Sequence, residues 1–178
     1  HIPNGTRSYY LGRSQPPVFY LMPAIVGGQG TPRWRAALER EYAFWMSGGR
    51  CVTMPDGALL NRYWDESSGP RDESWIEDLE TGSDLGRELR AAAESGWDFS
   101  SRWLDDACTM ATIRTTRYIP CDLNALLYGM EEELQLHDAA ERRREAMTRW
   151  LWDAAEGRFG DWDLDDGRIN PGLTAATL

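Results

Sequence analysis

The residues that could do chemistry are concentrated in one short segment, residues 91–103. A helical run ends there at a glycine, and Asp98 then stands between two aromatic residues, Trp97 and Phe99. Aromatic neighbours would exclude water from the carboxyl group and raise its pKa, which is what a general acid for a glycosidic oxygen needs. The alternative is that Asp98 caps a following helix that begins near Ser100. Taken alone, these residues favour the cap.

The rest of the composition narrows the chemistry that is available. All 19 basic side chains are arginine, so the chain has no lysine for a P-loop, a kinase site or a Schiff base. The formal charge of −10 is unsuited to non-specific binding along a phosphate backbone. Two histidines, His1 and His137, are too few for a histidine-rich metal site or a proton relay. Any acid–base chemistry should therefore fall to carboxylates.

Tryptophan is unusually abundant, with nine residues in 178. Most of these side chains are interpreted as core, because aromatic residues bury a large apolar area. The other interpretation is stacking on sugar faces, and tryptophan together with arginine and carboxylates suits a neutral polyol ligand. Composition does not decide between the two.

No motif predicts a metal, a cofactor or a membrane segment. Asp161, Asp163 and Asp165 have the spacing of a calcium loop, but Asp166 and Gly172 occupy the positions that require glycine and glutamate. The three cysteines lack zinc or disulfide spacing. No run of about 18 apolar residues exists that could span a membrane. We therefore expect neither a cofactor nor a metal.

Periodicity and turn residues predict an all-α chain with short β-hairpins in its loops. Predicted helices cover 32–46, 73–81, 84–94, 122–134 and 138–154, with Thr31 as an N-cap and Gly96 as a C-terminal stop. Predicted hairpins join 51–54 to 59–64 and lie within 157–169, where residues 165–167 form the turn. Arg142, Arg143 and Arg144 are interpreted as a solvated helix face opposite the acidic run 131–133.

Several multi-residue motifs occur in order along the whole chain. They are Asn4-Gly5, Arg13-Ser14-Gln15-Pro16-Pro17, Asn61-Arg62-Tyr63-Trp64-Asp65, Arg71-Asp72-Glu73-Ser74, Glu94-Ser95-Gly96-Trp97-Asp98-Phe99-Ser100-Ser101-Arg102-Trp103 and Asp122-Leu123-Asn124-Ala125-Leu126-Leu127. In these motifs the chain resembles the central part of trehalases, the inverting family that hydrolyses α,α-trehalose. The resemblance implies an (α/α)6 toroid of helical hairpins with a sugar pocket at one mouth. Residues 1–178 would be a single incomplete domain of it.

The resemblance also implies roles for individual residues. Asp98 would be the general acid that protonates the oxygen between the two glucoses. The substrate-binding residues would be Asn4, Arg13, Gln15, Arg71, Glu73, Gly96 and Trp97. The first three would line the pocket, the arginine–glutamate pair would hydrogen-bond sugar hydroxyls, and the glycine would let the backbone approach the ligand, with the tryptophan beside it. The implied partner is a small disaccharide, trehalose, without a nucleic acid, a membrane or an obligate protein partner.

The chain departs from the family pattern in three respects. The catalytic base, a glutamate, lies far downstream in the family, so we expect the chain to stop before it. The Pro-Gly-Gly-Arg signature upstream and the Gln-Trp-Asp signature downstream are also missing, so both ends are expected to be cuts. Asp72 stands where the family usually has proline, which leaves the stiffness of that loop open.

Two alternatives to a partial hydrolase remain. The chain could be a non-catalytic helical module that binds sugar or a partner, or a truncated chain that does not fold alone because it exposes apolar helix faces. The compartment is not predicted, whether cytoplasmic, periplasmic or secreted.

Overall fold

The computed structural model describes residues 6–27 and 30–177, and these residues form two compact units. The first unit combines the described part of residues 1–16 with residues 63–118. The second unit combines the described parts of residues 17–62 and 119–178. The predicted helical character is confirmed in both units, and the short hairpins lie in the second.

The α-helices have the following bounds: α1 Met22–Val26, α2 Pro32–Trp45, α3 Trp75–Thr81, α4 Gly86–Ser95, α5 Cys121–Glu133 and α6 His137–Trp150. The strands are β1 Cys51–Thr53, β2 Leu59–Asn61, β3 Tyr118–Ile119, β4 Trp152–Asp153, β5 Arg158–Phe159, β6 Trp162–Asp163 and β7 Arg168–Ile169. Short 3-10 turns fill much of the first unit, and among the described residues no helix is both long and apolar enough to cross a bilayer.

In the second unit, α5 and α6 form a helical hairpin against which β2 packs. The core between them consists of Met54, Leu60, Ile119, Cys121, Ala146, Met147 and Leu151. Helix α6 ends at Trp150, four residues before the predicted end, so Ala154 is exposed rather than directed inward. The chain turns there because β4 begins at Trp152 and pairs with β5.

The hairpins of the second unit follow the turn residues. Strands β1 and β2 pair antiparallel with Val52 opposite Leu60, and Gly57 in the turn has a φ of +85°. Strands β4 and β5 form a hairpin that the sequence did not predict, and the predicted hairpin within 157–169 consists of β6 and β7. The latter turns at Gly167, where φ is +64°, as the Asp-Asp-Gly sequence predicts. Strand β3 lies next to β6 in the order of this sheet.

The interpretation of Arg143 as a surface residue is wrong. Its side chain is 3% exposed and pairs with Glu131, which is 1% exposed, through nitrogen–oxygen distances of 2.9–3.0 Å. Its Nη1 also donates to the Oδ1 atoms of Asn61 and Asn124, each at 2.9 Å. The neighbouring Arg144 does lie at the surface, paired with an exposed glutamate. Two of the motifs that carry the family resemblance therefore meet in a buried polar network.

The aspartates of the failed calcium pattern have structural partners. Asp161 accepts a hydrogen bond from the backbone N–H of Cys121 at 3.0 Å, at the first residue of α5. A carboxylate is favourable there because unpaired N–H groups and the helix dipole are both at that end. Asp163 accepts the N–H groups of Asp165 and Asp166 and so closes the β6–β7 turn.

The first unit is built around α4 and an aromatic cluster. Tyr63 and Trp103 are fully buried, with ring centroids 6.3 Å apart in an edge-to-face arrangement. Helix α4 buries Leu89 and the alanines that follow it. Trp103 supports the interpretation of tryptophan as core, whereas Trp75 is 52% exposed and does not. Gly96 ends α4 with a left-handed φ of +72°, as predicted.

Candidate active site

The described site residues all lie in the first unit, and two loops carry them to the end of α4. The opening loop contains Arg13 and Gln15, and the second contains Arg71 and Glu73. Asn4 lies outside the described residues. The loop after α4 carries Asp98.

Glu94, in the last turn of α4, holds the opening loop in place. Its carboxylate is buried, accepts a hydrogen bond from the hydroxyl of Ser14 and accepts another from the backbone N–H of Trp64 at 2.7 Å. A buried carboxylate is tolerable only with such donors, so both segments are tied to the helix end. The neighbours of Ser14 in sequence, Arg13 and Gln15, are thereby brought to the same place.

The second loop is anchored on α4 by two arginines. Arg87 Nε donates to the carbonyl of Asp65 at 3.0 Å, and Arg90 donates to the carbonyls of Gly69 and Pro70 at 2.8 and 2.6 Å. Gly86 makes room for this loop. A Cβ there would lie only 2.3 Å from the backbone oxygen of Ser68.

Arg71 is held by a carboxylate that the sequence did not single out. Its Nε and Nη2 donate to the two oxygens of Asp78 at 2.9 and 2.6 Å, and its backbone N–H donates to the same carboxylate at 2.8 Å. The guanidinium also lies over the ring of Phe99, 4.3 Å from its centroid. One edge and one face of Arg71 are thus in contact with the protein.

Arg13 and Glu73 form an ion pair, with their side chains 17% and 21% exposed. Burial lowers the pKa of the Arg13 guanidinium below its usual range, and the nearby charge of Arg71 lowers it further. Asp98 acts in the opposite direction and raises that pKa. Because each of these effects requires proximity, the two arginines and the acid lie within electrostatic range of one another.

Asp98 itself has an unusual backbone. Its φ is +46°, in the left-handed region that a residue with a Cβ seldom adopts. The structure does not place it as a helix cap, because Ser100 occupies the capping position of the turn Ser101–Trp103. The carboxyl group of Asp98 is not enclosed between aromatic side chains either, since Asp98 is exposed and Phe99 stacks on Arg71 instead.

The remaining site residues lie around Gly96. A Cβ built there would be 3.9 Å from Oε1 of Gln15, so that side chain is a direct neighbour. Trp97 has the guanidinium of Arg102 over its ring at 5.1 Å from the centroid. The structure therefore brings Arg13, Gln15, Arg71, Glu73, Gly96 and Asp98 together in one unit, and Trp97 follows the glycine directly.

Two carboxylates hold this arrangement, Glu94 and Asp78, and neither was predicted as a site residue. Glu94 follows three buried alanines in α4, and a charged residue in that place could have been recognised as a structural anchor. Asp78 is one of several acidic residues in α3 and carries no such signal. Its importance follows from its contact with Arg71, seven positions earlier in the chain.

Comparison with protein-family models matches residues 1–178 to the family described as Trehalase. The chain belongs to the trehalase family. Its structure is similar to that of the neutral trehalase of Saccharomyces cerevisiae, with a TM-score of 0.75 and 22% sequence identity. The match covers 98% of this chain and 42% of the yeast chain, so the chain spans less than half the length of that trehalase.

Proposed function

We propose that this trehalase-family chain takes part in the hydrolysis of α,α-trehalose to two glucoses, with inversion at one anomeric carbon. In this proposal residues 1–178 are part of a single (α/α)6 toroid, and they supply the general acid and much of the pocket. The glutamate that serves as base in the family would come from outside these residues. No cofactor or metal is needed, because protonation of the leaving oxygen and activation of water are both tasks for carboxyl groups.

One observation supports the proposal most directly: Asp98, in its left-handed conformation, lies within electrostatic range of Arg13, which is itself paired with Glu73. Guanidinium donors and carboxylate acceptors can make paired hydrogen bonds to neighbouring hydroxyls of a sugar ring. A carboxyl group next to that sugar can give its proton to the glycosidic oxygen. An unfavourable backbone conformation persists only where surrounding contacts maintain it, and such conformations are typical of functional sites.

The exposure of Asp98 defines what the rest of the protein must contribute. A general acid has to be protonated at the working pH, and desolvation is the usual means. We propose that the other helices of the toroid and the bound sugar cover Asp98. The base would then lie about 6.5–9.5 Å from it, with a water molecule between the two carboxyl groups.

The test uses the full-length protein with Asp98→Asn, and Asp84→Asn as a control at an exposed position of the same unit. We expect hydrolysis of trehalose to fall at least about 10³-fold in the first variant, with an unchanged melting temperature, because an amide is too weak an acid to protonate the leaving oxygen. The control should retain its activity. Early in the wild-type reaction, NMR should detect one glucose as the β-anomer and one as the α-anomer. Initial release of α-glucose alone, or full activity of the Asp98 variant, would contradict the proposal.

A non-catalytic sugar-binding role is the alternative outcome of the same experiment. It would be favoured if calorimetry detected trehalose binding by the full-length protein without any release of glucose. Loss of that binding in Arg13→Ala would then assign the sugar to this site.

A further inference from the structure

We propose that Asp78 is a positioning residue for this site, which fixes the guanidinium of Arg71 in the orientation that a sugar ligand meets. The role rests on the proposed function, since it assigns a use to Arg71. It concerns a residue that would not itself touch the ligand.

The contacts of Asp78 reach both the backbone and the side chain of the same arginine. Asp78 Oδ2 accepts from the backbone N–H and from Nε of Arg71 at 2.8 and 2.9 Å, while Oδ1 accepts from Nη2 at 2.6 Å. The side chains of Asp78 and Arg71 are 3% and 12% exposed. Three charge-assisted hydrogen bonds from one buried carboxylate define both the position and the plane of the guanidinium.

The ring of Phe99 restrains the remaining freedom of that plane. The guanidinium carbon lies 4.3 Å from the ring centroid, and Phe99 directly follows Asp98 in the chain. With the Nε–Nη2 edge occupied by Asp78 and one face covered by Phe99, the N–H donors left for a ligand are those of Nη1 and the outer N–H of Nη2. Arg71 would thus offer the sugar one defined edge rather than a mobile charge.

Stability alone is a poor explanation for such a pair. Removing two charges from water costs about as much free energy as their attraction provides, and proteins with apolar residues in place of such a pair are often as stable. The preceding segment is already anchored, because Arg90 binds the carbonyls of Gly69 and Pro70. The contact of Asp78 with the Arg71 backbone also holds the chain at the residue before Asp72.

The experiment compares Asp78→Asn with Glu77→Gln in the full-length protein, using the kinetics of trehalose hydrolysis. Glu77 is the exposed neighbour on the same helix and serves as the matched control. We expect Asp78→Asn to lower kcat/KM about 10- to 100-fold, chiefly through a higher KM, because an asparagine amide cannot accept from all three donors. The control should change kcat/KM less than about twofold.

A double-mutant cycle separates positioning from a general structural role. If Asp78 acts through Arg71, adding Asp78→Asn to Arg71→Ala should change kcat/KM by less than about twofold. An equal loss in both backgrounds would overturn the proposal, and so would an unchanged KM in the single variant. A fall in melting temperature alone, without a kinetic change, would also overturn it.

A second readout keeps this inference distinct from the proposed function. The Nε–H proton of Arg71, assigned by its loss in Arg71→Lys, should exchange slowly with water in the wild type and rapidly in Asp78→Asn. If the wild-type protein releases no glucose from trehalose, the proposed function fails, and this exchange rate still tests the restraint on Arg71. Equal exchange rates in the two proteins would refute it.

Discussion

Replacing Arg143 with methionine should destabilise the protein strongly, whereas the same change at Arg144 should not. Arg143 is 3% exposed and makes three hydrogen bonds to Glu131, besides those to Asn61 and Asn124. Arg144 is 57% exposed and pairs with a similarly exposed glutamate. The two arginines are adjacent in the same helix, so helix propensity and net charge change equally in both variants.

The magnitude follows from what Arg143→Met leaves behind. Glu131, 1% exposed, would keep the hydroxyl of Tyr42, at 2.9 Å, as a hydrogen-bond donor among the described residues. Removing one partner of a buried ion pair costs about 3–5 kcal/mol, because the other charge remains without compensation. Arg144→Met should stay within about 0.5 kcal/mol of the wild type.

The assay is urea denaturation of both variants, followed by circular dichroism and by tryptophan fluorescence. The double variant Glu131→Leu with Arg143→Met should recover at least half of the lost stability, since it removes the uncompensated charge as well. The reasoning is refuted if Arg143→Met and Arg144→Met unfold at the same urea concentration. It is also refuted if the double variant is less stable than Arg143→Met alone, because lost packing rather than charge would then dominate.

Two further predictions concern a buried acid and a close backbone approach. Burial raises the pKa of Glu41 to about 7, and its Oε2 is buried without a hydrogen-bond partner among the described residues. The stability that protonated Glu41 contributes should be full below its unfolded pKa of about 4.5 and lost as the pH rises through 7. The free energy of unfolding should fall by about 1–2 kcal/mol over this range, a magnitude reduced by the solvent that still reaches the side chain. Urea midpoints measured between pH 4.5 and 8 should fall with rising pH in the wild type and in Glu39→Gln, but not in Glu41→Gln. An equal dependence on pH in all three proteins would contradict this prediction. Gly86→Ala should destabilise the protein by about 1–3 kcal/mol in thermal melting, because the new Cβ would meet the backbone oxygen of Ser68. Gly12→Ala places its Cβ in open space and should be neutral. Equal melting temperatures of the two variants would contradict the close approach at Gly86.

The order of the elements was predictable because several boundaries depend on local chemistry. Proline at the start of α2, glycine at the end of α4 and glycine in the β6–β7 turn each favour one backbone conformation without any distant partner. The end of α6 was predicted four residues too late. Helical periodicity continues to Ala154, but pairing of Trp152 with Phe159 ends the helix first.

The residues of the candidate site could be named from the sequence, but only because they lie in motifs that resemble those of a known family. Arg13, Arg71 and Asp98 were recognised by their neighbours in the chain, and the structure places them in one unit. Their partners were not predictable in the same way. Asp78 is an ordinary helix residue and Glu94 a lone charge after three alanines, and only folding brings a loop against each of them.

The sequence by itself determined the family and the helical class, because composition and short motifs need no tertiary contacts to be read. The tertiary structure alone decided which charges are buried. Arg143 and Arg144 are identical and adjacent, yet one lies in a polar core and the other in solvent. The difference arises from about 100° of rotation per residue around α6 and from what packs on each face. Likewise, only the fold shows that Asp98 is exposed and that Arg71 is held by Asp78, because both depend on contacts between distant parts of the chain.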